Sequence, residues 1–151
     1  MNNRYLMIGL AKAPAAMSRL INKIDPDRYD EAPDPDRFSV REAIAHLADW
    51  EPIFLTRLQA AVDNPGSSIP DIDEGEMAIL GDYRSRDPRA EAERFAQGRR
   101  EVIKYLDSIP KEKWANTVVH PERGSMTVYD WANCIVGHDV YHIEHFTEYL
   151  D

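Results

Sequence analysis

Cysteine is nearly absent from this chain of 151 residues. Cys134 stands alone, so no internal disulfide can form and the thiol pattern does not point to secretion. Basic residues are outnumbered as well. Eighteen Lys and Arg against 27 Asp and Glu leave a formal net charge of −9. A phosphate backbone needs a basic patch to hold it, so no nucleic acid is expected as partner. An anionic membrane surface is disfavoured for the same reason. Long apolar runs are missing too: nothing approaches the ~20 residues that span a bilayer. The stretch "MNNRYLMIGLAKAPAAM" lacks an uninterrupted apolar region and carries Pro14, so it does not read as a signal peptide. There is no internal repeat and no low-complexity tract. The expectation is a cytoplasmic protein with no membrane contact.

What remains is ordinary globular material, 43% hydrophobic and 30% charged, at a length that suits one domain over residues 1–151. Four segments carry helical periodicity. The first spans about residues 3–23, with Leu6, Leu10, Met17, Leu20 and Ile21 on one face and Pro14 expected to kink or interrupt it. The second opens at "SVRE", where Ser39 can cap the helix and Glu42 can return the bond as a capping box. Ala43, Leu47, Trp50, Phe54 and Leu58 form its apolar stripe, and Pro52 lies within it. The third begins with Asp87 as N-cap and Pro88 as first helical residue. Its stripe is Ala92, Phe95, Arg99, Val102 and Leu106, in which Arg99 is out of place. The fourth starts at Thr127, with Asp130 as reciprocal partner, and its inward face reads Trp131, Cys134, Ile135, His138, Tyr141, His142, His145 and Tyr149. Residues 25–37 and 63–87 read as polar connections, and slight extended structure is expected around Val118 and Val119. The sum is an all-α four-helix bundle, with room for a crossover in the long second connection.

Three of the five histidines fall within "GHDVYHIEHF". His138 and His142 stand one helical turn apart and about 40° round the axis, so both imidazoles can aim at one point. A divalent ion needs ligand nitrogens about 2 Å away, and a third ligand must come from elsewhere in the chain. His46, beside the second stripe, is the natural candidate. The plain alternative is a set of core histidines with hydrogen-bond partners. His145 shares the face and reads as a neighbour of the site rather than a ligand, though a fourth ligand position is open to it. His120, in a loop beside Pro121, is expected to be solvated. Asp49 lies about 60° round from His46 and could orient an imidazole or act as general base. A solvated aspartate is the competing reading. Glu51, Asp139 and Glu144 read as exposed charges. Arg99 could bind an anionic group of a substrate, or be paired internally. Tyr141 could touch substrate.

"FSVREAIAHLADWEPIFLTRL" and "GSMTVYDWANCIVGHDVYHIEHFTEYL" resemble the second-helix and last-helix blocks of the DinB-like superfamily. "KAPAAMSRLINKID" and "DYRSRDPRAEAERFAQGRREVIKYL" fit the same pattern, so the resemblance runs along nearly the whole chain. It implies a four-helix bundle with a divalent metal held by three histidines. Carried over by motif, these are His46, His138 and His142. The family pattern often has glutamine where this chain has His145. Zn²⁺ is the expected ion, with Ni²⁺, Mn²⁺ or Fe²⁺ as alternatives. Relatives that use bacillithiol or mycothiol imply a thiol-dependent transferase with a low-molecular-weight thiol as cosubstrate, and others imply a metal-dependent hydrolase. Three protein ligands leave open positions, as catalytic sites require. A small-molecule substrate and a possible homodimer complete the expectation. A non-catalytic metal or small-ligand binding protein, or an interaction protein with pH-responsive histidines, are the readings from other classes.

Overall fold

The computed structural model describes residues 3–151. Five helices are present among them: α1 (Arg4–Lys23), α2 (Val40–Asp63), α3 (Glu74–Leu80), α4 (Pro88–Ser108) and α5 (Val128–Thr147). A short antiparallel hairpin, β1 (Thr117–His120) and β2 (Gly124–Thr127), precedes α5. The four long helices form the bundle. Helix α4 packs against α1 and α2, and α5 closes the ring against the same two. Helices α1 and α2 are therefore diagonal, as are α4 and α5, and both the 24–39 and the 109–127 segments cross the bundle. No described helix is long and apolar enough to cross a membrane.

The expected caps form. Ser39 Oγ accepts from the Glu42 amide and Asp87 accepts from the Ala90 amide. Thr127 and Asp130 make a reciprocal capping box that starts α5. At α2 the box is only half made. The Glu42 carboxylate turns to Ser39 Oγ at 3.5 Å and to Arg84 at 3.4 Å, not to the Ser39 amide. Residues 63–87 are more ordered than a plain connection. Asp73 caps α3 through the Glu76 amide, and Tyr83–Ser85 adds a turn of 3₁₀ helix. The extended structure near Val118 is real, and Ser67 and Ile69 bond to Val119 beside it.

Pro14 neither kinks nor interrupts α1, which is continuous from Arg4 to Lys23. A helical proline lacks the N–H that the carbonyl four residues back would use. Here that carbonyl belongs to Leu10, and Arg99 Nη1 reaches across from α4 to donate to it at 3.0 Å. The same guanidinium meets Glu51 of α2 through Nε and Nη2, at 2.9 and 2.8 Å. It meets Asp139 of α5 through Nη1 and Nη2, at 2.6 and 2.9 Å. Arg99 and Glu51 are 1% exposed and Asp139 is 2% exposed. Glu51 and Asp139 are thus not surface charges. Arg99 has no donor left for a substrate anion, and its place in the stripe is that of an internal tie among all four bundle helices. Gly98 permits the approach, since a Cβ there would lie 2.7 Å from the Glu51 Cβ.

Removing one partner of a buried ion network leaves uncompensated charge, at a cost of about 3–5 kcal/mol. Arg99→Met is therefore expected to lower the unfolding free energy by about that amount in urea titrations. Pro14→Ala supplies the missing donor to the Leu10 carbonyl. In the Arg99→Met background it should recover about 1 kcal/mol more than it does alone. Equal effects of Pro14→Ala in both backgrounds would contradict the link.

Candidate metal centre

His46 projects from α2, and His138 and His142 from α5, into the middle of the bundle. His46 Nε2 and His138 Nε2 are 2.8 Å apart. One ligand nitrogen from each of the three residues lies within 4.8 Å of the others. The ring centroids are 4.9 Å apart for His46–His138, 5.2 Å for His46–His142 and 4.7 Å for His138–His142. Phe38, Trp50 and Phe54 pack against these rings and supply the apolar wall. α5 places two of the histidines one turn apart, and the Arg99 tie sets the facing helix. Asp139 is the neighbour of His138 in sequence, and Glu51 lies on α2 with His46.

Burial dominates the protonation of these rings. It brings His46 down to about 3, helped by His138, and His138 down to about 4, helped by Arg99 and Arg123. His142 is pushed further down by burial and by its histidine neighbours. All three are neutral at pH 7, with lone pairs free to bind. As a purely protein cluster they are poorly served: His46 Nδ1 and His142 Nδ1 are buried without a hydrogen-bond partner among the described residues. Nitrogens bound about 2.1 Å from one divalent ion sit roughly 3 to 3.4 Å apart. The observed spacings bracket that range. Neutral donors, close convergence and missing partners fit a divalent ion better than a packed core.

The other expected residues fall in different places. His145 is buried, its ring 6.0 Å from that of His142, outside the convergent group and with Nδ1 also unpartnered. Tyr141 is 50% exposed and leaves the inward face, although its ring stays 5.0 Å from His142. The Arg37 guanidinium lies over the Tyr141 ring, 4.6 Å from its centroid. Asp49 is bound by two arginines: Arg86 Nη1 donates to it at 2.8 Å and Arg94 Nη2 makes a second, close contact. Burial would raise its pKa, but these bonds outweigh burial and hold it below the ordinary value. His120 is not solvated. It is 5% exposed, and its Nδ1 accepts from the Glu122 and Arg123 amides to close the hairpin turn. Cys134 is only half-buried and receives Arg123 Nη1 at 2.9 Å.

Two clefts meet at His138. One, of about 540 Å³, is lined by His46, His142, His145, Tyr141 and Arg37. The other, of about 550 Å³, runs between α2, α5 and the hairpin. Glu74, at the start of α3, lines both. It stands exposed at the lip, and what burial it has pushes its carboxyl up from the ordinary value against the pull of Arg123. It makes no ion pair among the described residues. Periodicity could not find it, because it lies in a connection; the capping pattern of Asp73 and Glu76 is the one sequence signal there.

A family model described as the DinB superfamily matches residues 10–146. The chain belongs to the DinB superfamily. Among solved structures, this DinB-superfamily chain is similar to YfiT from Bacillus subtilis, described as "a probable metal-dependent hydrolase with an unusual four-helix bundle topology". The TM-score is 0.90 at 20% identity, over 97% of this chain and 84% of the other. No curated protein matches this DinB-superfamily chain significantly by sequence.

The depressed histidines carry a pH signature. Their folded pKa values lie below the ordinary 6.5, so the unfolded chain takes up protons first as pH falls. Their contribution is intact above pH 6.5 and is lost toward about 4 and 3. Metal-stripped protein should therefore lose roughly 5–10 °C of Tm between neutral and mildly acid pH beyond the loss shown by the His138→Gln, His142→Gln double variant. Thermal melts of both across that range make the comparison, and parallel curves would contradict it.

Proposed function

We propose that this chain is a metal-dependent enzyme acting on small molecules, with His46, His138 and His142 as protein ligands of one divalent ion. The convergence of three neutral imidazole nitrogens within 4.8 Å carries this reading. Zn²⁺ suits such a donor set, with Ni²⁺, Mn²⁺ or Fe²⁺ as alternatives. When bound, the ion supplies Lewis acidity to whatever occupies its open positions. The chain's own residues do the rest. Trp50, Phe54 and Phe38 exclude water from the histidines, and His145 and Tyr141 border the space in which substrate would lie.

The reaction that fits best is thiol transfer to an electrophilic substrate, with a low-molecular-weight thiol as cosubstrate. Two clefts of similar size meeting at His138 suit two reactants better than one. Glu74, at the lip of both, takes over the role of proton acceptor or donor that the sequence suggested for Asp49. A carboxyl with a raised pKa is the better proton carrier near neutral pH, and Asp49 is held ionised by its arginines. Hydrolysis is the second reading, favoured by the description of YfiT. The same reading keeps the chain cytoplasmic and allows two copies to pair, for which exposed Tyr5, Ile8 and Val140 offer apolar surface.

Untagged protein should bind one equivalent of Zn²⁺ in calorimetric titration, and His46→Ala or His142→Ala should weaken binding by at least about a hundredfold. Unchanged affinity in both variants would remove the site. In thiol-consumption assays with an electrophile, Glu74→Gln should keep its metal and lower kcat by about a hundredfold with little change in KM. An active metal-loaded protein whose turnover is the same with Glu74→Gln would remove that role. Loaded protein that consumes no thiol would leave hydrolysis.

A further inference from the structure

The second cleft holds an unexplained buried charge. Arg57, on α2, is 5% exposed. Its guanidinium is stacked between two indoles, 5.0 Å from the Trp50 ring and 4.8 Å from the Trp131 ring. Among the described residues its one hydrogen bond goes from Nη2 to the Pro70 carbonyl at 3.3 Å. It makes no ion pair among the described residues. Cation–π contact compensates part of the cost of burying such a group, but a buried charge ordinarily also has an anionic partner. Arg99, one helix away, shows the usual solution, with two carboxylates on one guanidinium.

A second guanidinium comes to the same cleft. Arg123, on the hairpin turn, is exposed, lines the cleft with Arg57, and among the described residues its guanidinium donates only to Cys134 Sγ, at 2.9 Å. The two like charges repel, which lowers the Arg57 pKa further beyond the effect of burial. The carboxylates nearby do not resolve this. Asp71, Glu74 and Glu122 stand on the rim, and none lies within ion-pair distance of either arginine. Asp71 instead faces His120 Nε2 at 3.5 Å. The indole N–H groups of Trp50 and Trp131 are also buried without an acceptor. The cleft thus has two guanidinium groups with no carboxylate paired to either and an apolar wall of Phe54 and Ile72, and it opens on His138.

We propose that this cleft is a binding site for a small organic carboxylate, its anionic group held between Arg57 and Arg123 and its apolar body lying along Phe54 toward His138. The assignment of the occupant as substrate rests on the metal-enzyme reading above; the anion site itself does not. A carboxylate supplies the counter-charge that Arg57 lacks and acceptors for the guanidinium donors of Arg57 and Arg123. An apolar body fits the aromatic walls, which a bare inorganic anion would leave wet.

Tryptophan fluorescence reads this cleft directly, because Trp50 and Trp131 line it. The Trp114→Phe variant removes the third tryptophan from the signal. Titration with benzoate at fixed ionic strength should give a saturable change, and the uncharged benzamide should give none. Arg123→Gln, on an exposed side chain, should weaken benzoate at least tenfold without moving the Tm, and Arg57→Gln should abolish the response. Saturable binding that persists unchanged in both variants, or benzamide binding as well as benzoate, would overturn the proposal. Inorganic phosphate binding as tightly as benzoate would overturn the organic part of it. The measurement needs neither metal nor turnover. Benzoate binding in a protein that takes up no metal would sustain this site while the proposed function failed, and metal binding without benzoate binding would do the reverse.

Discussion

Burying a guanidinium costs several kcal/mol unless each donor finds an acceptor and the charge finds its opposite. Arg99 meets those terms through one residue or carbonyl from each of the other three bundle helices: Leu10 on α1, Glu51 on α2 and Asp139 on α5. The partners are directional, so they restrict how the helices can slide or rotate past one another more sharply than apolar packing does. Pro14 belongs to the same arrangement. It leaves the Leu10 carbonyl unclaimed within α1, and Arg99 claims it. Gly98 belongs too, because α4 and α2 could not close to this distance over a methyl group.

The histidines inherit that restriction. His138 is bonded in sequence to Asp139, and His142 follows one turn later on α5. His46 stands on α2 with Glu51. Registering Glu51 against Asp139 through a single guanidinium therefore registers the two halves of the histidine cluster. A ligand set for a metal needs its nitrogens placed to within about half an ångström. Flexible helices joined by apolar contacts alone would hold that tolerance poorly. The buried ions and the buried imidazoles are best understood as one arrangement, the first giving the second its geometry.

Much of this was legible in the residues. The stripes of α2 and α4, the caps at Ser39, Asp87 and Thr127, and the shared face of His138 and His142 follow from spacing, while His46 joins the pair through the family resemblance. Glu51 and Asp139 were misread as surface charges because their type outweighed their position. Yet Glu51 falls between Leu47 and Phe54 at intervals of four and three, and Asp139 between Ile135 and His142 in the same way. Arg99 repeats the pattern between Phe95 and Val102. Three charges at core positions on three stripes signal a buried network, and their pairing is the signal that single-helix reading misses. His120 was misread for the opposite reason: a loop position says nothing of a ring folded back to close its own turn. Arg57 also falls at a core interval, three residues after Phe54 and four before Ala61, whereas Glu74 and Arg123 lie in connections and carry no periodic signal. Their proximity to His138 arises only when the 64–87 connection and the hairpin fold over the same end of α2 and α5.

The proposed ion would be held in the bundle by three histidines. Anomalous diffraction from crystals of untagged protein, collected on both sides of the zinc absorption edge after incubation with Zn²⁺, tests it most directly. One peak per chain is expected, bonded to His46, His138 and His142, and absent from crystals of His142→Ala grown the same way. A peak bound elsewhere, or well-ordered imidazoles around no peak at saturating Zn²⁺, would contradict it.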